Sequence, residues 1–240
     1  MKQSSGHAVS GRIRGACLGT IQQVLLLTLL VFGVSWINQS SEIMLSGLIG
    51  SAWARWLFAS IGTPVHEISH AAVALLFGYR IVEFRPFIAD PTSPTLGFVR
   101  YSYTSGTFLS QVGHFFVGIA PVLVPLAFLY LLYRFLLPRN LVNAGRLQWR
   151  QLWSLGNLLR CLLFIYISAQ IVFHMRCSPA DLQNATYGLP LLVGLLLVIG
   201  LVYPRGQRYL LASSTMMTIL SLVFAIISQL IVRGAVMLFG

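Results

Sequence analysis

His66-Glu67-Ile68-Ser69-His70 sets two imidazoles four residues apart with a carboxylate beside the first. On a helix, residues i and i+4 leave one face with their Cβ atoms about 5–6 Å apart, so both rings can converge on one cation. The chain's own residue frequencies give this H-E-x-x-H pattern by chance only about once in a thousand such sequences. The chemistry such a trio supports is hydrolysis with Zn2+ as cofactor: zinc lowers the pKa of its bound water toward about 7, and Glu67 takes the proton as general base. Glu67 is one of only five acidic residues, with Glu42, Glu83, Asp90 and Asp181. An ionisable group in lipid-like surroundings is costly, which makes it a functional candidate by default.

A catalytic zinc keeps three protein ligands and one open position, so His66 and His70 need a partner from elsewhere in the chain. Asp181, in Ser178-Pro179-Ala180-Asp181, is the expected third ligand, and its ordinary alternative is a turn or helix-start aspartate. His174, at the end of the preceding apolar run, is the competing ligand. Asp90 reads as a turn residue before Pro91, and His114 as a polar group facing the bundle or supporting the site.

The elements that must hold these residues are membrane helices. The 240 residues are 57% hydrophobic and 9% charged, with a mean hydropathy of +0.80. An ordinary soluble domain carries nearer a quarter charged residues. Apolar runs at 18–37, 108–133, 151–173 and 209–232 are long enough to cross about 30 Å of hydrocarbon, and 188–203 is a shorter candidate. Lys2, Arg12 and Arg14 before the first run resemble an export signal, but the run is long and no A-x-A site follows. An uncleaved first span is therefore expected. The helix bearing the motif is expected to start with Thr63 as N-cap and Pro64 in its first turn, and to stop at Gly78. The stretch 43–78 is either one bent span or a span at 43–61 that returns. The alternation in 81–85 and 97–103, around the turn residues 90–94, predicts a small β-hairpin. Basic residues divide almost evenly between the two resulting topologies. In both, the hairpin and the loop around 174–187 emerge on the same side.

The fold class expected is thus an all-α polytopic membrane protein of about five to six transmembrane helices, with a small β-hairpin inserted after the H-E-x-x-H helix, forming one domain over 1–240. The formal charge of +11 comes from Arg and Lys scattered between apolar runs, which suits anionic headgroups rather than nucleic acid. Three cysteines, Cys17, Cys161 and Cys177, exclude a disulfide framework, and Cys177 is of interest for lying four residues before Asp181. Asn38-Gln39-Ser40 and Asn184-Ala185-Thr186 match the short glycosylation pattern.

Val65-His66-Glu67-Ile68-Ser69-His70-Ala71 with Gly78, the β-like stretch 80–103, Gly118-Ile119-Ala120-Pro121 and the late Asp181 together resemble the site-2 protease family of intramembrane zinc metalloproteases. The resemblance covers residues 60–190. It implies His66, His70 and a late Asp as metal ligands and Glu67 as catalytic acid/base. The chain departs from the family in having Leu182, not Gly, after Asp181, and in lacking an Asn after Pro121.

The expected function is a membrane-embedded zinc metalloendopeptidase that cleaves membrane or membrane-associated proteins. The substrate would lie extended along the hairpin edge at Gly97, Phe98 and Val99, where backbone hydrogen bonds demand no one sequence. The expected location is a multi-pass position in a bacterial cytoplasmic membrane, with the lipid bilayer and a peptide substrate as partners. Two other readings stand beside it. One is a catalytically inactive binding or scaffold protein of the same fold, and the other is an ion or proton transporter.

Overall fold

The computed structural model describes residues 2–90, 92–93, 95–137, 142–143, 146–147 and 154–239. The chain folds as an all-α polytopic membrane protein with a small β-hairpin. α1 (Lys2–Ile49) is followed by a short α2 (Ser51–Ala54), one π-helical turn (Arg55–Ala59) and α3 (Gly62–Leu76). Strands β1 (Arg80–Arg85) and β2 (Phe98–Ser102) lead into α4 (Phe108–Leu136). A two-residue ladder of β3 (Val142–Asn143) and β4 (Arg146–Leu147) precedes α5 (Leu155–Phe173), α6 (Pro179–Val202) and α7 (Pro204–Phe239).

Five of these helices, α1, α4, α5, α6 and α7, are long and apolar enough to cross a membrane. Their outward faces carry large apolar side chains such as Leu25, Trp36 and Ile231, which suits lipid and not water. The inward faces meet in one core, in which Leu30 and Val34 of α1 pack with Phe115, Ile119 and Val122 of α4, Leu192 and Leu196 of α6 and Ala225 of α7. α1 runs along α7, and α4 along α6. Helix packing in lipid rests on close approach and on polar side chains that would otherwise lack partners. Gln207 of α7 is such a case, donating to the Ala16 carbonyl (3.1 Å) and Thr20 Oγ1 (3.2 Å) of α1.

The stretch 43–78 is neither of the two expected arrangements. Residues 43–49 continue α1, and the chain breaks at Gly50, whose φ of 82° leaves the helical region. α3 is only 15 residues long and does not qualify as a span by itself. Nor is Thr63 its N-cap: the helix already includes Gly62, its N-cap is Ile61, and the Thr63 hydroxyl is buried without a partner among the described residues. The expected end holds, since Gly78 takes a φ of 76° and the chain turns directly into β1.

β1 and β2 pair antiparallel with Ile81 opposite Tyr101 and Phe84 opposite Val99, interrupted by a bulge at Val82. Arg55, from the π-helical turn, donates to the carbonyls of Ser93 (2.9 Å) and Thr95 (3.2 Å) and so ties down the loop between the strands. Ala74, Tyr79 and Val117 form a second small core joining α3, the hairpin and α4. Of the two glycosylation-like asparagines, Asn38 is wholly buried, with its amide donating to the Val172 (2.5 Å) and Met175 (3.2 Å) carbonyls at the end of α5. That burial excludes it as an acceptor in the folded chain.

Candidate metal centre

α3 presents His66 and His70 one turn apart, and their Nε2 atoms lie 3.2 Å from each other. Each ring is held by its other nitrogen. His66 Nδ1–H donates to the His174 carbonyl (3.0 Å), and His70 Nδ1–H donates to the Val117 carbonyl (2.8 Å). A carbonyl can only accept, so each Nδ1 carries a proton, and in the neutral ring the Nε2 lone pair points inward. This is how backbone acceptors orient metal-ligating histidines.

Asp181 reaches the same point from the first turn of α6. Its Oδ1 lies 3.2 Å from His70 Nε2, and its Oδ2 lies 3.9 Å from His66 Nε2. The carboxylate also caps its own helix: Ser178 N–H donates to Asp181 Oδ2 (2.7 Å), and Asp181 N–H donates to Ser178 Oγ (3.2 Å). The helix-start role raised for this residue is therefore met, and the same side chain faces both imidazoles. α6 approaches α4 closely enough to allow this because Gly118 has no side chain; a Cβ there would lie 2.4 Å from the Asp181 carbonyl oxygen.

Among the described residues, His66, His70 and Asp181 are the one group of three or more such side chains whose ligand atoms all lie within 4.8 Å of one another. Three electron-pair donors facing each other repel unless a cation lies among them, either a metal ion or a proton shared between His70 and Asp181. The spacing suits a metal: two imidazole nitrogens at 2.0–2.1 Å from a tetrahedral zinc are about 3.3 Å apart. Two nitrogens and one carboxylate oxygen are also a zinc-type donor set. The residues present thus fit the ion.

Glu67 is buried on the same helix and makes no hydrogen bond to protein among the described residues. Thr63, one turn earlier on its face, touches Gly97, where a Cβ would stand 3.0 Å from Thr63 Cγ2. Phe98 and Val99 follow at the start of β2, paired with Arg85 and Phe84. The sheet has two strands, so each strand has one edge facing no other strand among the described residues.

The remaining candidates lie elsewhere. The His174 ring donates through Nδ1 to the Gln170 carbonyl (3.0 Å), so this residue serves the centre through its backbone oxygen and not its imidazole. Asp90 is a turn residue, accepting from the Thr92 N–H (2.9 Å) and hydroxyl (2.6 Å), which hold its carboxyl below the usual carboxylate range. His114 packs edge-on to Tyr103, with ring centroids 4.4 Å apart, in a cluster with Tyr79 and Tyr187. Cys177 is buried, its thiol donating to the Gly118 carbonyl.

Two sets of contacts had no expectation attached to them. Asn184, one turn after Asp181, donates to the Tyr101 hydroxyl (2.8 Å) and so joins α6 to β2. Burial and the nearby Asp181 carboxylate push the Tyr101 phenol up to about 12, and burial does the same for Tyr79, so both stay protonated at neutral pH. The other is the pair of carbonyls, from Val117 and His174, that orient the two histidines. Every residue carries a carbonyl, so the sequence offers no signal for them; for Asn184, its one-turn spacing from Asp181 was the available hint. Compared with models of known protein families, with curated proteins and with solved structures, the chain finds no match.

Proposed function

We propose that this protein is a membrane-embedded zinc metalloendopeptidase of the site-2 protease type, acting on membrane or membrane-associated proteins from within a bacterial cytoplasmic membrane. The observation that carries the proposal is the convergence of two Nε2 lone pairs and a carboxylate, each oriented by a second hydrogen bond, at one end of a bundle of apolar helices. His66, His70 and Asp181 would hold the ion. When bound, zinc supplies Lewis acidity that makes water a competent nucleophile near neutral pH.

The chain's own groups do the rest. Glu67, buried and without a hydrogen bond among the described residues, would accept a proton from the attacking water and return it to the leaving amine. The edge beginning at Gly97, Phe98 and Val99 would hold the substrate extended through backbone hydrogen bonds. The apolar bundle limits water around the reacting groups, which strengthens each charge interaction there.

One observation favours a second reading. The capping bonds of Asp181 to Ser178 give that carboxylate a structural occupation with or without metal, as a noncatalytic binding protein would require.

The two readings separate on zinc content and cleavage, measured on detergent-purified protein. The wild type is expected to carry about one zinc, His66→Ala, His70→Ala and Asp181→Ala to lose it, and His174→Ala to keep it, since its carbonyl remains. Glu67→Gln is expected to keep zinc and to lose cleavage of transmembrane peptides by at least about a hundredfold. Zinc retained in Asp181→Ala but lost in His174→Ala would overturn the ligand set. A wild type that carries zinc but cleaves nothing in such a panel favours the binding protein.

A further inference from the structure

α3 starts without a cap from its own sequence, since Ile61 supplies no capping side chain. The first turn of a helix leaves N–H groups that need acceptors, and in apolar surroundings water does not supply them. Here the acceptor comes from another helix. Gln170, fully buried in the last turns of α5, takes the Ile61 N–H on Oε1 (2.8 Å) and the Ser60 hydroxyl on the same oxygen (3.3 Å).

Gln170 belongs to a longer chain of bonds that ends at the metal centre. Its backbone carbonyl accepts from His174 Nδ1 (3.0 Å), and the His174 carbonyl accepts from His66 Nδ1 (3.0 Å). The two helices also meet at van der Waals distance. A Cβ on Gly62 would lie 2.2 Å from the Gln170 carbonyl oxygen and 2.4 Å from His174 Nδ1. Packing alone does not account for the amide: Gln170 Nε2 has no hydrogen-bond partner among the described residues, and a buried amide nitrogen left so is costly. An apolar side chain of similar length would fill the space without that cost. What glutamine adds is the acceptor for α3.

We infer that Gln170 is a positioning residue for the metal centre. By gripping the start of α3 it fixes how far that helix stands from the end of α5, and so where His66 Nδ1 meets the His174 carbonyl and where His66 Nε2 points. The inference rests on the metal reading above.

The test is titration of metal-stripped, full-length protein in detergent with Co2+ alone, read by its visible absorption bands, alongside thermal unfolding. Gln170→Met keeps the shape and removes the acceptor; it is expected to weaken Co2+ binding about 10–100-fold and to alter the bands. Gln170→Glu, which keeps an oxygen in place, is expected to recover most of the affinity. Gln207→Met, which removes a comparably buried glutamine between α7 and α1, is expected to lower the unfolding temperature while binding Co2+ like the wild type. If Gln170→Met does not fold, Ser60→Ala, which strips one of the two bonds, is expected to weaken binding about threefold. Wild-type affinity in Gln170→Met or in Ser60→Ala, or an equal loss in Gln207→Met, overturns the positioning role and leaves the metal reading standing. A wild type that takes up no Co2+ overturns both.

Discussion

At Asp181 the two carboxylate oxygens divide their partners: Oδ2 takes the Ser178 N–H, and Oδ1 faces His70. Substitutions can separate the two roles. Asp181→Asn keeps an oxygen for the capping bond but loses the negative charge, so zinc affinity is expected to fall by more than tenfold with little change in unfolding temperature. Asp181→Ala loses both, and is expected to cost about 1 kcal/mol more in stability than the Asn variant. Equal stability of the two would show that the capping bonds contribute nothing. Tyr101→Phe is a milder probe on the hairpin side. It removes the acceptor of the Asn184 amide, and a loss of about 1 kcal/mol in thermal or denaturant unfolding is expected, with zinc content unchanged.

The helices meet the site through small residues. Gly118 lets α4 touch the start of α6, where a Cβ would also stand 2.7 Å from the Ala185 nitrogen. Both near atoms are backbone, so they cannot swing aside as a side chain would. Gly118→Ala is therefore expected to push α6 outward, destabilise the fold by about 1–3 kcal/mol and weaken zinc binding at least tenfold, although residue 118 touches no ligand atom. Zinc titration against an outward-facing control such as Gly194→Ala, where a Cβ meets nothing within 4 Å, checks this. The hairpin is held from outside its own strands. Arg55 fastens its loop, and Arg55→Ala is expected to make residues 86–97 the first site of cleavage under limited proteolysis.

Across the molecule, the site lies where α1 changes character. The α1 segment Val9–Ile49 has 41 residues, about 60 Å long at 1.5 Å each and roughly twice the hydrocarbon thickness. In its second half, Ser35 accepts from the Cys177 N–H, Asn38 bonds the end of α5, and Glu42 pairs with Arg176. The loop that leads to Asp181 is thus anchored on α1 as well as on His66 and Asp181. The main core, built from α1, α4, α6, α7 and the end of α5 with the loop after it, has no residue of α3. Chelation of zinc is accordingly expected to leave the helical circular dichroism unchanged. It should lower the free energy of unfolding only by the lost binding term, about 2.7 kcal/mol for zinc at a hundred times its Kd. Global loss of helix on chelation would contradict this division between bundle and site.

Hydropathy and helical spacing are local properties, and they were legible along the chain. They carried the membrane spans, the one-turn spacing of His66 and His70, the position of the hairpin and the end of α3 at Gly78. Asp181 was legible as a candidate because acids are so few. What lay beyond the sequence were contacts between residues far apart, such as the 108-residue separation of His66 from the carbonyl that orients it. The break at Gly50, the π-helical turn and the capping of α3 by Gln170 belong to the same group. Each depends on which helix faces which and at what distance. That is decided by the packing of the whole bundle, where a carbonyl of any residue can serve and only its place in space makes it a partner.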